Sequence, residues 1–206
     1  MIKNIMFDLG GVIMDIEKER CVAAFDRLGL RDAASFFGEY SQKGPFLRLE
    51  EGTMTVDDFH QAMRAEIDGD VTDAEIDSAF CQFLIGIPAG RLADLRRLRE
   101  RHAVYLLSNT NPIMWGSMIR DEFTREGCSR EDYFDGMVTS FEAKALKPDE
   151  KIFRFAAQKF GIDPCETIFI DDSQSNLDAA AALGFETLHV APGEEFADKL
   201  ADMDIK

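Results

Sequence analysis

The chain has 206 residues, of which 46% are hydrophobic, and a formal net charge of −16. A chain of this size can bury one core together with a smaller appendage. The negative charge argues against nucleic acids and anionic membranes as partners, because both require clustered lysine and arginine. A small phosphate ester stays compatible with this net charge as a ligand, since a metal ion and one or two cations set the electrostatic field around it.

The sequence gives no indication of export or of membrane insertion. It begins directly with a strand-like segment, lacks a charged-then-apolar signal region, and has no apolar stretch long enough to span a bilayer. The cysteines form no CxxC or zinc-binding spacing. They are Cys21, Cys81, Cys128 and Cys165. We therefore expect a cytoplasmic protein with reduced thiols, and a monomer by default.

Five segments have the composition of strands covered on both faces, since most are continuous apolar runs. They are Ile2–Phe7, Ala103–Leu107, Gly136–Thr139, Thr167–Ile170 and Thr187–Val190. Helical patterns lie between several of them, at Arg91–Arg101, Glu150–Phe160 and Asn176–Leu183, and the last two stop at glycines that suit helix C-caps. This alternation predicts an α/β fold with a doubly wound, parallel, Rossmann-like sheet.

Residues 17–85 break the alternation, because they contain amphipathic helical patterns and no convincing strand. Capping-box sequences begin at Thr55 and Thr72. About four helices inserted after the first strand predict a small bundle. We expect residues 1–16 and 86–206 to form the core and residues 17–85 to form a helical cap over the end of the first strand.

Asp8 follows the first predicted strand and precedes Leu9, Gly10 and Gly11. Aspartate at such a place is also a common helix cap. The paired glycines favour a role for Asp8 in an anion-binding site, because they allow backbone N–H groups to form a nest for anionic oxygens. A carboxylate beside a phosphate needs a cation between them. With Mg²⁺ bridging both, Asp8 could attack phosphorus and form an aspartyl-phosphate.

Three later pairs of residues follow or lie near other apolar runs. They are Ser108-Asn109, Lys147-Pro148 and Asp171-Asp172. Each pair alone has an ordinary interpretation as a turn residue, a solvated lysine or a helix cap. A parallel sheet collects the ends of its strands at one edge, so these residues can converge on Asp8. A carboxylate, a hydroxyl, an ammonium group and an acidic pair in one place suit Mg²⁺-assisted phosphoryl transfer.

In order along the chain, four stretches resemble the four sequence motifs of the haloacid dehalogenase superfamily of hydrolases. They are Phe7-Asp8-Leu9-Gly10-Gly11-Val12, Leu107-Ser108-Asn109-Thr110, Leu146-Lys147-Pro148 and Phe169-Ile170-Asp171-Asp172. One motif alone is weak, but four in order are specific, and the resemblance covers nearly the whole chain. The helical insert is similar to a type 1 cap. The first motif is most similar to the Asp-Leu-Gly branch of sugar-phosphate phosphatases, which includes an enzyme acting on glucose 1-phosphate.

The resemblance implies a Mg²⁺ site made of oxygen ligands, which suit this ion. Asp8 would be both nucleophile and metal ligand, and the Gly10 carbonyl would be the second metal contact. Asp172 and Asp171 would complete the carboxylate shell. Asn176, four residues after Asp172, could hydrogen-bond that shell.

The resemblance also implies a set of phosphate-binding groups. Ser108 would donate its hydroxyl to a phosphoryl oxygen, helped by the backbone nest of Gly10 and Gly11 and by the N–H of Asn109. Lys147 would hold the same phosphate and offset the repulsion among the carboxylates. Lys144 is a nearby competitor of lower rank.

Gly10 departs from the family pattern. Most phosphatases of this superfamily have a second aspartate two residues after the nucleophile, which protonates the leaving oxygen and then activates water. Such general acid–base catalysis typically raises the reaction rate ~10²–10⁴-fold. An anomeric phosphate needs less of it, because its leaving oxygen is more acidic than that of an ordinary alcohol. Asp15 and Glu17 are candidate substitutes, although solvated charge or helix capping is the favoured interpretation of both.

Several other features stay open in the sequence. The segment Leu49–Thr53 could reach into the site as a specificity loop or simply connect two helices. His60, His102 and His189 have no metal-binding spacing, and a structural role is favoured for each of them. Trp115 and Met114, which follow the second of the four motifs, are expected to pack rather than to contact a ligand.

Three functions compete. The leading prediction is a Mg²⁺-dependent phosphatase for a small phosphomonoester, such as a hexose 1-phosphate. A 2-haloacid dehalogenase would keep the fold and also lack the second aspartate, but it needs no metal, and the acidic pair with Gly10-Gly11 favours phosphate. A non-catalytic phosphometabolite-binding protein would not require the nucleophile Asp8.

Overall fold

The computed structural model describes residues 2–38 and 42–205. The strands are β1 (Asn4–Phe7), β2 (Asp15–Ile16), β3 (Leu84–Gly86), β4 (Ala103–Ser108), β5 (Gly136–Thr139), β6 (Thr167–Asp171) and β7 (Glu186–His189). The helices are α1 (Lys18–Leu28), α2 (Gly44–Glu50), α3 (Val56–Glu66), α4 (Asp73–Cys81), α5 (Ala89–Leu98), α6 (Pro112–Gly116), α7 (Met118–Thr124), α8 (Ser140–Ala143), α9 (Glu150–Phe160), α10 (Gln174–Ala182) and α11 (Phe196–Asp202).

Five strands form one parallel sheet in the order β5-β4-β1-β6-β7. From the central β1 the chain adds β4 and β5 on one side and then β6 and β7 on the other, so the winding reverses beside β1. In open α/β sheets, ligands bind at the carboxyl ends of the strands around such a reversal. The predicted doubly wound α/β fold is confirmed.

Both faces of this sheet are covered, which explains the continuous apolar strands. On β1, Ile5 and Phe7 belong to a core shared with α5 and α11, whereas Met6 belongs to a core shared with α9 and α10. Successive side chains of a strand point to opposite faces, so a strand covered on both sides is apolar at nearly every position.

The helices of the core end largely where the sequence predicts. The side chain of Asp149 accepts the N–H of Lys151 at 3.0 Å at the start of α9, and α9 ends at Gly161, whose φ of 66° suits a glycine C-cap. Helices α5 and α10 begin two residues before their predicted starts. Helices α6, α7, α8 and α11 have no counterpart in the prediction, because short helices carry little periodic signal.

Between β2 and β3 the chain forms α1 to α4, which we call the helical insert. Its core is a cluster of aromatic rings whose centroids lie 4.7 to 6.4 Å apart in contacting pairs. The rings belong to Phe25, Phe37, Phe46, Phe59 and Phe80. Thr72 forms a complete capping box with Glu75, and Thr55 accepts the N–H of Asp58 at 3.1 Å, so both predicted helix starts are confirmed.

The two ends of the helical insert are joined by β2 and β3, which pair antiparallel with Asp15 opposite Gly86 and Ile16 opposite Leu84. The prediction of no strand within residues 17–85 is therefore wrong at Leu84 and Ile85. A strand of two or three residues is too short for an alternating pattern to show. The predicted division into core and cap stays a prediction, and β2 and β3 lie at its boundaries.

In the described part of the chain, no helix combines the length and apolar character needed to cross a bilayer. All four cysteines are free thiols.

Candidate active site

The predicted site residues converge at the carboxyl edge of the sheet. Asp8 follows β1, Ser108 ends β4, Asp171 ends β6, and Lys147 lies in the loop between α8 and α9. Asp8, Ser108 and Lys147 line a cavity of about 120 Å³, and Asp171 lies next to it without lining it. The sheet edge lines it with Asp8, Gly10, Ser108, Asn109, Lys147, Asp172 and Asn176.

Lys147 occupies the centre of this edge. Its Nζ lies 2.7 Å from Asp8 Oδ1 and 2.7 Å from Asp171 Oδ2, and its side chain is only 1% exposed. Burial alone would lower the pKa of Lys147, but the two carboxylates outweigh it and hold that pKa above its usual value. Asn109 fixes the lysine's backbone, because its amide accepts the Lys147 N–H at 2.9 Å and donates to the Lys147 carbonyl at 3.0 Å.

Three carboxylates face one another beside this lysine. Asp8, Asp171 and Asp172 each present an oxygen, and these atoms all lie within 4.8 Å of one another. Burial raises the pKa of Asp8 to about 7, with Lys147 opposing and the other two carboxylates adding to the shift. Burial and then Asp171 also raise the pKa of Asp172. Such crowding of hard oxygen donors around one ammonium group fits a divalent cation such as Mg²⁺.

Asp171 and Asp172 have different surroundings. Asp171 is fully buried, and besides Lys147 it accepts the N–H of Ser173 at 2.8 Å and the amide of Asn176 at 3.0 Å. The carboxylate of Asp172 lines the cavity. Asp172 therefore lines the cavity and Asp171 does not, and the hydrogen bonds that Asn176 makes to the acidic pair go to Asp171.

Because Gly11 has no side chain, Asp172 can occupy the space beside it. A Cβ added at Gly11 would lie 2.8 Å from Asp172 Cγ, and the φ of 80° is one that residues with a side chain rarely adopt. The N–H of Gly11 donates to the Met14 carbonyl at 2.9 Å, so it is not available to a phosphate oxygen. The predicted Gly10-Gly11 nest thus loses one of its two donors, and Gly11 acts instead by its small size.

Ser108 is buried and faces the cavity with a weakly held hydroxyl. Its Oγ donates to the Asn109 carbonyl at a long 3.4 Å. The following turn is held firmly, because Thr110 N–H donates to Ser140 Oγ at 3.0 Å and that hydroxyl donates back to the Thr110 carbonyl at 2.9 Å. The Ser108 hydroxyl can therefore turn toward a phosphoryl oxygen without any backbone movement.

Several cavity residues were not predicted. The helical insert contributes Gln42 and Glu50, which are 9% and 8% exposed. Burial raises the pKa of Glu50 to about 8. An apolar wall completes the cavity and consists of Ile16, Phe83, Leu84, Met114 and Ile119. Two features of the sequence pointed to members of this set: the segment Leu49–Thr53, considered as a specificity loop, and Met114, for which packing was favoured over ligand contact. Met114 is buried, as packing requires, and it also lines the cavity.

Other candidates lie outside the cavity. Asp15 pairs with Arg91 at 2.7 Å, and neither Asp15 nor Glu17 lines the cavity, so neither is placed to replace the missing acid. Lys144 donates to the Gly52 carbonyl.

The predicted structural roles of two histidines and the tryptophan fit their surroundings, whereas the buried Nδ1 of His102 has no hydrogen-bond partner within the described residues. His60 pairs with Asp77 at 2.7 Å, and His189 contacts the Asp172 carbonyl at 2.9 Å. Trp115 lies under the guanidinium of Arg130 at 4.0 Å.

Comparisons with known proteins agree with this geometry. The model of the haloacid dehalogenase-like hydrolases matches residues 2–184. A D-ribitol-5-phosphate phosphatase from Bacteroides thetaiotaomicron is 38% identical over 200 residues, covering 97% of each chain. An (S)-2-haloacid dehalogenase from Pseudomonas sp. strain YL is 25% identical over 197 residues, covering 90% of this chain and 81% of the other.

The structural comparison gives the same family. A crystal structure of a haloacid dehalogenase family enzyme from Bacteroides thetaiotaomicron, in complex with magnesium and inorganic phosphate, has a TM-score of 0.91 and 38% identity. The match covers 97% of this chain and 99% of that one. The four motifs, the sheet order and the family match over most of the chain lead to one conclusion: this chain belongs to the haloacid dehalogenase-like hydrolases.

Proposed function

We propose that the chain is a Mg²⁺-dependent phosphatase that hydrolyses a small phosphomonoester of a sugar or sugar alcohol through an aspartyl-phosphate on Asp8. The observation that carries this proposal is Lys147, whose ammonium group bridges Asp8 and Asp171 beside the cavity that Asp172 lines. Support for the substrate class comes from the similarity to a D-ribitol-5-phosphate phosphatase over nearly the full length of both proteins.

The groups that would hold Mg²⁺ are the carboxylates of Asp8 and Asp172 and the Gly10 carbonyl, and all three residues line the cavity. Asp171 supports them from below through its contacts with Lys147 and Asn176. When bound, Mg²⁺ would offset the repulsion between the carboxylates and the phosphoryl oxygens and make phosphorus more electrophilic.

The remaining steps belong to the chain's own side chains. Lys147 and the N–H of Leu9, 2.7 and 2.6 Å from Asp8 Oδ1, fix the orientation of the nucleophile. Asp8 attacks phosphorus, the bond from phosphorus to the ester oxygen breaks, and that oxygen takes up a proton from solvent water, while Lys147 and the Ser108 hydroxyl hold the phosphoryl group. Water then attacks phosphorus, the bond from phosphorus to Asp8 breaks, and the proton that this water loses passes to solvent. Inorganic phosphate is released and the Asp8 carboxylate is restored.

Dehalogenation of a 2-haloacid is the second candidate, favoured by the 25% identical relative of that activity. The cavity argues against it. A haloacid carries a carboxylate, and Asp8 and Asp172 would both face it across a cavity in which Lys147 is the single lining cation among the described residues.

A screen of phosphate release from sugar and sugar-alcohol phosphates, in Mg²⁺ and in EDTA, tests the proposal, with Asp8→Asn as the control. We expect release that requires both Mg²⁺ and Asp8. Equal release by the wild type and Asp8→Asn would remove Asp8 as nucleophile. Chloride release from 2-chloropropionate in EDTA would favour the dehalogenase. Tight phosphate-ester binding without turnover would favour the non-catalytic alternative.

A further inference from the structure

Two polar side chains of the helical insert line the cavity and have no role in the mechanism proposed above. Gln42 and Glu50 are each at least nine-tenths buried and line the same cavity as Asp8 and Lys147. Within the described residues, Gln42 Oε1 has no hydrogen-bond partner, and the Glu50 carboxyl makes no hydrogen bond or ion pair. Buried polar groups without partners are unfavourable, so both groups suit a ligand that would satisfy them.

Glu50 is held over the cavity by contacts that cross from the helical insert to the core. Glu50 ends α2, and two residues later the Gly52 carbonyl accepts a hydrogen bond from Lys144. A Cβ at Gly52 would lie 2.9 Å from the backbone carbon of Phe141, so only glycine permits this close approach. The Thr53 N–H closes the turn onto the Arg48 carbonyl at 2.9 Å. The carboxyl is thus positioned by backbone that is docked on the core.

We propose that Glu50 and Gln42 recognise hydroxyl groups on the leaving-group side of the substrate and so select an uncharged, polyhydroxylated ester. This inference rests on the proposed phosphatase function. A protonated carboxyl and a carboxamide each donate and accept hydrogen bonds, as a hydroxyl does. Two such groups lining one cavity match the several hydroxyls of a sugar or a sugar alcohol.

The charges of the cavity agree with an uncharged leaving group. Burial raises the pKa of Glu50 to about 8, which favours its uncharged form at neutral pH. Lys147 is the single cation among the described lining residues, and it belongs to the phosphate end. A second phosphate or a carboxylate on the leaving group would therefore find no positive partner. The apolar wall of Ile16, Phe83, Leu84, Met114 and Ile119 would face the C–H surface of the same molecule.

The test compares a polyhydroxy ester with an ester that has no hydroxyl. The first is whichever of ribitol 5-phosphate and glucose 1-phosphate the wild type hydrolyses faster, and the second is acetyl phosphate. Glu50→Leu and Gln42→Leu remove the hydrogen-bonding groups, whereas Glu50→Gln keeps a group that donates and accepts. Glu51→Leu is the matched control, because Glu51 is the next residue and does not line the cavity.

We expect Glu50→Leu to lower kcat/KM for the polyhydroxy ester about 10²-fold, mainly through KM, and at least tenfold more than for acetyl phosphate. Glu50→Gln should stay within about fivefold of the wild type, since its amide still donates and accepts. Equal losses for both esters would overturn the inference. So would a Glu50→Gln variant as impaired as Glu50→Leu, because the site would then be recognising a cationic group. We expect Gln42→Leu to lower kcat/KM for the polyhydroxy ester in the same selective way, and this variant replaces Glu50→Leu in the test if Glu50→Leu does not fold.

A binding measurement separates this inference from the phosphatase proposal. In the Asp8→Asn background with Mg²⁺, calorimetry compares ribitol 5-phosphate with inorganic phosphate. Glu50→Leu should weaken the binding of ribitol 5-phosphate at least tenfold more than that of phosphate. Absence of turnover in the wild type would refute the phosphatase proposal alone, and equal weakening of the two ligands would refute the hydroxyl site alone.

Discussion

Lys147 shows how much of this site depends on one buried charge. Its ammonium group lies between the carboxylates of Asp8 and Asp171, and removing one partner of a buried ion pair leaves the other charges without compensation. We expect Lys147→Met to lower the free energy of unfolding in EDTA by about 3 kcal/mol at pH 8. The loss should shrink at pH 5, because burial raises the pKa of Asp8 to about 7 and the protonated Asp8 carboxyl then has no charge for Lys147 to compensate.

Urea unfolding of the wild type and Lys147→Met at the two pH values measures this loss. Lys151→Met is the control, because Lys151 lies on the exposed side of α9. A destabilisation of the same size at pH 5 and pH 8 would mean that lost packing, rather than charge, is responsible.

Gly10 stands where most phosphatases of this superfamily have their acid, and the structure has room for that acid. A Cβ at Gly10 would lie 3.5 Å from the side chain of Ile16, which is an ordinary contact. We expect Gly10→Asp to raise kcat about 10²-fold for alkyl phosphates, whose leaving oxygen needs a proton. The kcat for acetyl phosphate should rise much less, because its leaving group, acetate, needs no proton.

Steady-state rates with the two kinds of ester test this expectation, and Gly10→Asn separates a proton donor from added bulk. If Gly10→Asp and Gly10→Asn act alike on alkyl phosphates, the account of the missing acid is wrong.

At the scale of elements, the strands could be predicted from the sequence, whereas the part of the cavity lining that the helical insert contributes, Gln42 and Glu50, could not. A strand buried on both faces is apolar throughout, so β1, β4, β5 and β6 were found within about two residues, and with them the ends that carry Asp8, Ser108 and Asp171. Glu50 has no such local signal. Its place over the cavity depends on Gly52 meeting Lys144, a contact between residues 92 positions apart in the chain.

The same contact gives a prediction about α2. Replacing Lys144 with methionine removes the hydrogen bond to the Gly52 carbonyl but keeps much of the apolar stem. We expect amide hydrogens of residues 44–53 to exchange at least threefold faster and KM for a polyhydroxy ester to rise several-fold, with a smaller change in kcat. Hydrogen exchange followed by mass spectrometry measures the first effect. Unchanged exchange in residues 44–53 would show that α2 does not depend on this contact.

For the whole molecule, the acidic cluster links metal binding, protonation and stability. Because burial raises the pKa of Asp8 to about 7, the folded metal-free protein keeps a proton that the unfolded chain has already released. That proton's contribution to stability is complete below about pH 4 and falls as the pH rises toward 7. A bound Mg²⁺ would take the proton's place, so its affinity should rise from pH 5.5 to pH 8.

This competition can be measured as a shift in Tm. A ligand at 100 times its Kd stabilises the folded state by about 2.7 kcal/mol, which corresponds to roughly 5 to 10 °C for a chain of this size. We expect 10 mM Mg²⁺ to raise Tm by several degrees at pH 8 and by much less at pH 5.5. In Asp8→Asn, which has no proton to exchange at this position, most of that pH dependence should disappear. An equal Mg²⁺ shift at both pH values in the wild type would mean that the ion does not compete with the Asp8 proton, and the metal would then belong elsewhere on the acidic surface.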